Sequence, residues 1–142
     1  MSPQRDGAAL VGRILLAAIF LWSGYGKLTG FASAAGAIAS KGLPLPEVLA
    51  AGAIAVELGG GLLLLAGWQA RWAALAIFLF LIPTTLLFHN FWAAPPEAVA
   101  GQKIHFFKNV AIMGGMLIVW AFGPGRFAVG REEHASAVPA RA

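Results

Sequence analysis

Polar and apolar positions do not alternate along this chain; apolar residues run together in four long blocks. The blocks cover residues 8–28, 46–67, 71–91 and 105–123, each close to 20 residues. A helix needs about 20 apolar residues to cross roughly 30 Å of hydrocarbon. The pattern predicts four transmembrane helices in an all-α bundle. The breaks carry turn residues: Gly42-Leu43-Pro44-Leu45-Pro46, Trp68-Gln69-Ala70, Pro95-Pro96 and Gly123-Pro124-Gly125. Pro46 suits the first turn of the second span. Pro83, inside the third span, predicts a kink. The loop from Thr29 to Leu45 holds a small, apolar stretch, Phe31–Ser40, that predicts a short interfacial or re-entrant helix between spans one and two. The whole chain, 1–142, reads as a single membrane domain ending in a flexible polar tail over residues 126–142.

Composition supports a bilayer setting. Hydrophobic residues make up 59% of the chain and charged ones 11%. Soluble domains carry about 25% charged residues, so water cannot surround most of this surface. The net charge of +4 does not point to nucleic acid, because the basic residues stand singly and form no stripe. With no cysteine, the chain has no thiol nucleophile and no thiolate ligands for a metal or iron–sulfur centre. Redox chemistry then requires a bound small molecule such as a quinone, or a partner protein. Four spans place both termini on one side. That side holds Arg5, Arg13, Arg71, Arg126, Arg131 and Arg141, whereas Lys27, Lys41, Lys103 and Lys108 fall on the other. Six cations against four favour cytoplasmic termini.

The residue that carries most chemical information is Glu57, in the middle of the second span. An acid there costs about 2.5–3.5 kcal/mol on insertion scales, so something must offset it. Arg13 is the expected partner. At 1.5 Å per residue, Glu57 lies about 16 Å from the lysine side counted from Pro46, and Arg13 about 22 Å counted from Leu28. The same count puts Lys27 too near the surface to reach. Arg13, Phe20, Gly24 and Lys27 share one face of the first helix, flanked by Ser23 and Tyr25. Glu57, Arg13 and Lys27 are therefore the candidate ligand-binding or proton-carrying groups. A secondary polar cluster, His89, His105, Lys108 and Asn109, gathers at the lysine side. It reads either as a pocket or as ordinary solvation of helix ends. Two histidines do not make a metal site, so no metal is assigned. No motif supports a free-standing hydrolase, and Ser23 has no evident base.

The runs Gly12-Arg13-Ile14, Gly24-Tyr25-Gly26-Lys27-Leu28, Gly42-Leu43-Pro44, Glu57-Leu58-Gly59-Gly60-Gly61-Leu62 and Leu65-Ala66-Gly67, followed by Arg71, resemble the DoxX family. The resemblance spans residues 8 to about 123. It implies a small bacterial inner-membrane protein with a four-helix bundle. Members of the family include a subunit of an archaeal thiosulfate:quinone oxidoreductase and a membrane component associated with superoxide dismutase and a sulfurtransferase. Three readings follow. The first is a redox-associated subunit that binds a quinone or other lipophilic molecule near Glu57 and works with redox partner proteins; at most it is one subunit of an enzyme. The second is a scaffold that docks partners. The third is a small transporter or channel, which with so few helices requires a homo-oligomer.

Overall fold

The computed structural model describes residues 3–130. Its elements are α1 (Pro3–Thr29), α2 (Phe31–Ser40), α3 (Pro46–Ala66), α4 (Ala70–Phe88), a 3-10 turn (Phe91–Ala93) and α5 (Pro96–Phe122). Among the described residues there is no β-strand. Four helices, α1, α3, α4 and α5, are long and apolar enough to cross a membrane. α5 begins nine residues before the expected boundary of residue 105, because Pro96 opens it and the less apolar residues 97–104 continue the helix beyond the apolar block. α4 continues as a helix through Pro83. α2 is the short apolar helix between the first two spans.

Sequential helices pack as antiparallel neighbours, α1 on α3, α3 on α4 and α4 on α5, while α1 touches α5 only lightly. Small residues set these approaches. An ideal Cβ on Gly60 falls 2.9 Å from Ile77 Cδ1, and one on Gly61 falls 3.0 Å from Leu21 Cδ2. Water provides no hydrophobic drive between helices in lipid, so close van der Waals packing over glycine and alanine replaces it. The core is accordingly small-residue-rich: Ala17, Ala70, Ala73 and Ala74 pack with Phe20, Leu64, Ile77 and Met116. A second cluster joins Ala35 and Ile38 of α2 to Ala50 of α3, with Phe88 against it. Large apolar side chains such as Leu15, Trp22 and Phe122 point outward. That inversion of a soluble fold suits a lipid surround.

One end of the bundle is closed by arginine. Arg71 Nη1 donates to the carbonyls of Trp120 and Ala121 at 3.0 and 3.1 Å, in the last turn of α5. Arg13 does the same for α3. Residues 126–130, the start of the expected flexible tail, are tied down there: Val129 N–H donates to Ala66 O at 2.8 Å and Arg126 N–H to Asp6 Oδ1 at 3.2 Å. The rest of that tail, 131–142, lies outside the described residues.

Candidate functional site

Ser23 and Lys27 lie one helical turn apart on α1, so their side chains point the same way. Opposite them α3 is locally a π-helical turn over Ala55–Gly59, with Glu57 at its centre. Such single-turn insertions recur at functional positions because they re-aim one side chain. Glu57 is 5% exposed. A carboxylate inside a helix gets no backbone N–H, since those bond within the helix, so its donors must be side chains. Lys27 Nζ lies 3.0 Å from Oε1 and 3.0 Å from Oε2 of Glu57. The same ammonium donates to Ser23 Oγ at 2.7 Å, and the Ser23 hydroxyl donates to Glu57 Oε1 at 3.2 Å. The result is a closed three-residue network. Lys27 remains one-third exposed (33%) while the Glu57 side chain is at 7%. Gly24 makes the approach possible: a Cβ there would sit 2.8 Å from Leu58 Cγ and 3.1 Å from Glu57 Cβ.

The expected Arg13–Glu57 ion pair does not form, and the reason is register. Gly24 lies against Leu58 and Leu21 against Gly61. That pairing sets residue 28 opposite residue 54, not opposite Pro46. The depth count therefore misplaced α3 by about eight residues, or ~12 Å. The first turns of α3 pack instead on α2. Lys27 thereby comes level with Glu57, and Arg13 comes level with the end of α3. Arg13 is 1% exposed. Its Nη1 donates to Leu64 O at 2.8 Å and Leu65 O at 3.1 Å, and its Nη2 donates to Phe127 O. The last carbonyls of a helix lack intrahelical donors and carry partial negative charge, so they suit a cation. Gly67 ends this helix at φ +76°, and a Cβ there would fall 2.5 Å from Arg13 Nη1.

The secondary cluster divides. Asn109 is buried and its amide donates to Thr85 Oγ1 at 3.1 Å, joining α5 to α4. His89 and His105 stack with ring centroids 5.2 Å apart. His89 Nδ1 is 2.9 Å from Gln102 Oε1, and Lys108 Nζ is 3.2 Å from His105 Nδ1. These groups bond mainly to one another at the helix ends. Among the described residues, no group of three or more His, Cys, Asp or Glu is placed to hold a metal ion. Sequence reasoning passed over Gln102 and the role of Ser23. The i,i+4 spacing of Ser23 and Lys27 was the available signal. Ser23 does have an amine beside it, but that ammonium donates to it while bound to a carboxylate, an arrangement that positions rather than activates the hydroxyl.

Similarity to known proteins agrees with this architecture. The DoxX family pattern matches residues 8–90, and the SURF4 family pattern matches residues 52–135. The chain is 37% identical over 134 residues to the inner membrane protein YqjF of Escherichia coli, covering 92% of this chain and 95% of that one. It is 31% identical over 123 residues to the inner membrane protein YphA of the same organism, covering 87% and 88%. A shorter match, 29% over 69 residues, is to a surfeit locus protein 4 homolog of Schizosaccharomyces pombe, covering 47% of this chain and 23% of that one. No solved structure matches it significantly. Four apolar membrane-length helices and relatives named as inner membrane proteins along nearly their whole length lead to one conclusion: the chain is a multi-pass inner membrane protein and belongs to the DoxX family.

Proposed function

We propose that this protein is a redox-associated membrane subunit that holds the polar head of a quinone, or of a similar small lipophilic molecule, at Lys27, Glu57 and Ser23. The observation that carries the reading is the ion pair inside the apolar helices, with Glu57 buried and Lys27 one-third exposed. Polar and ionisable groups inside membrane helices are costly and mark sites more often than not. A carbonyl head that reaches the exposed side of Lys27 would take over one of the three N–H donors now shared between Ser23 and the two Glu57 oxygens, and the carboxylate behind it gives a place to exchange a proton. The chain has no cysteine to carry electrons, and in this reading a partner protein delivers them to the bound molecule. We place the arginine-rich end and both termini in the cytoplasm, on the cation bias.

The test is titration of the purified protein in nanodiscs with a short-tailed ubiquinone analogue. The wild type is expected to bind saturably. Lys27→Ala should weaken binding about tenfold or more, because a bond to a charged donor is worth roughly 1.5–3 kcal/mol. A folded wild type without saturable binding sinks this reading. Stable co-purification with other membrane proteins would then favour a scaffold.

A further inference from the structure

The guanidinium of Arg13 has two working edges, and the structure uses them differently. Nη1 is anchored on α3 itself, through the carbonyls of Leu64 and Leu65. The Nε–Nη2 edge is the one whose parallel N–H groups match an oxyanion bidentately. Here that edge holds one neutral carbonyl, Phe127 O, on Nη2. Nε is buried and has no hydrogen-bond partner. No carboxylate among the described residues lies within ion-pair distance of Arg13; the one ion pair found there is Lys27–Glu57. Asp6, two turns away on the same helix, is buried and accepts the Arg126 N–H instead.

The carbonyl on Nη2 comes from a strap, residues 123–130, laid across the end of α1 and α3. Few bonds hold it: Phe127 O to Arg13, Val129 N–H to Ala66 O, and Arg126 N–H to Asp6. Glycines at positive φ punctuate it at Gly123 (+79°), Gly125 (+78°) and Gly130 (+85°), where the backbone turns without a side-chain penalty. Lifting the strap leaves the guanidinium in place, because Nη1 stays on α3. Arg5 and Arg126 adjoin Asp6 and Phe127 in the chain and make this end cationic, which favours a dianion over a monoanion.

We infer that the Nε–Nη2 edge of Arg13 is an oxyanion site for a phosphate group, covered by the strap of residues 123–130, whose Phe127 carbonyl occupies it until the anion enters. A lipid headgroup and free phosphate present the same chemistry. The experiment follows amide hydrogen exchange over residues 126–130 in the purified full chain. Inorganic phosphate is titrated into lipid-depleted detergent samples against chloride at equal ionic strength. A parallel series uses phosphate-free nanodiscs of phosphatidic acid or phosphatidylcholine. Saturable acceleration of strap exchange by inorganic phosphate assigns a free anion; acceleration in phosphatidic acid discs alone assigns a lipid. Both support the site. Arg13→Lys keeps the charge but loses the fork, and should raise the half-saturation concentration about tenfold. Val129→Pro removes a strap bond and leaves Arg13 intact, so it should lower that concentration and keeps the test open if Arg13 variants fail to fold. Exchange insensitive to either phosphate source, in wild type and Val129→Pro alike, overturns the inference. So does a response unchanged in Arg13→Lys.

Discussion

Glu57 and Arg13 are both buried where α1 meets α3, yet their charges are compensated in opposite ways. Glu57 lies within a helix whose backbone donors are already used, so it takes Lys27 and Ser23 from the neighbouring helix. Arg13 lies at a helix end, where carbonyls have no donors of their own, and it needs no acid among them. An intramembrane anion therefore demands a side-chain partner, whereas an intramembrane cation can be met by a helix C-terminus. Finding an acid and a cation in neighbouring spans does not imply that they pair, because here the register sets Glu57 level with Lys27 and Arg13 level with the end of α3. The difference also bears on function: the acid draws a partly exposed amine to itself, and the cation becomes part of the closure of the bundle.

The sharpest way to break this contrast is to remove the amine. Lys27→Met leaves Glu57 buried without its counter-ion and should destabilise the protein by about 3 kcal/mol in reversible denaturation from detergent. The double variant Lys27→Met/Glu57→Leu should recover most of that loss. Equal loss in the single and double variants would mean that the pair does not act as a unit. Next in size is the close approach that lets the pair form. Gly24→Val should cost about 1–3 kcal/mol by pushing α1 from Leu58, and should weaken ligand binding at Lys27 along with stability. A variant as stable as wild type would show that α1 and α3 are not held at this distance. Smaller still is a polar contact with no charge. Thr85→Val strands the Asn109 amide, but hydrogen bonds between membrane helices average only about 0.6 kcal/mol, so the midpoint should move little. A loss as large as that of Lys27→Met would place the critical polar contact between α4 and α5 instead.

The four spans and the small helix after the first were legible because lipid imposes one simple rule, an unbroken apolar run of fixed length. Glu57 was legible as a site for the same reason: an acid in such a run is conspicuous. Its partner was not. Partner choice depends on the register between helices, and register here is set by how α2 folds back on the first turns of α3 through Ala35, Ile38 and Ala50. A depth count that begins at the nominal end of each span cannot see that displacement. The π turn at Ala55–Gly59 was equally hidden, since it adds a residue without a sequence mark beyond Gly59-Gly60-Gly61. The strap escaped notice because residues 126–130 are too few to form a span or an amphipathic repeat, and it is their backbone that reaches Ala66 and Asp6.

The pairing of Glu57 is best tested by two double-mutant cycles on unfolding free energy, one for Lys27 with Glu57 and one for Arg13 with Glu57. The account predicts a coupling of more than about 1 kcal/mol for the first and less than about 0.5 kcal/mol for the second. The reverse order would return Glu57 to Arg13 and contradict the register on which the proposed site stands.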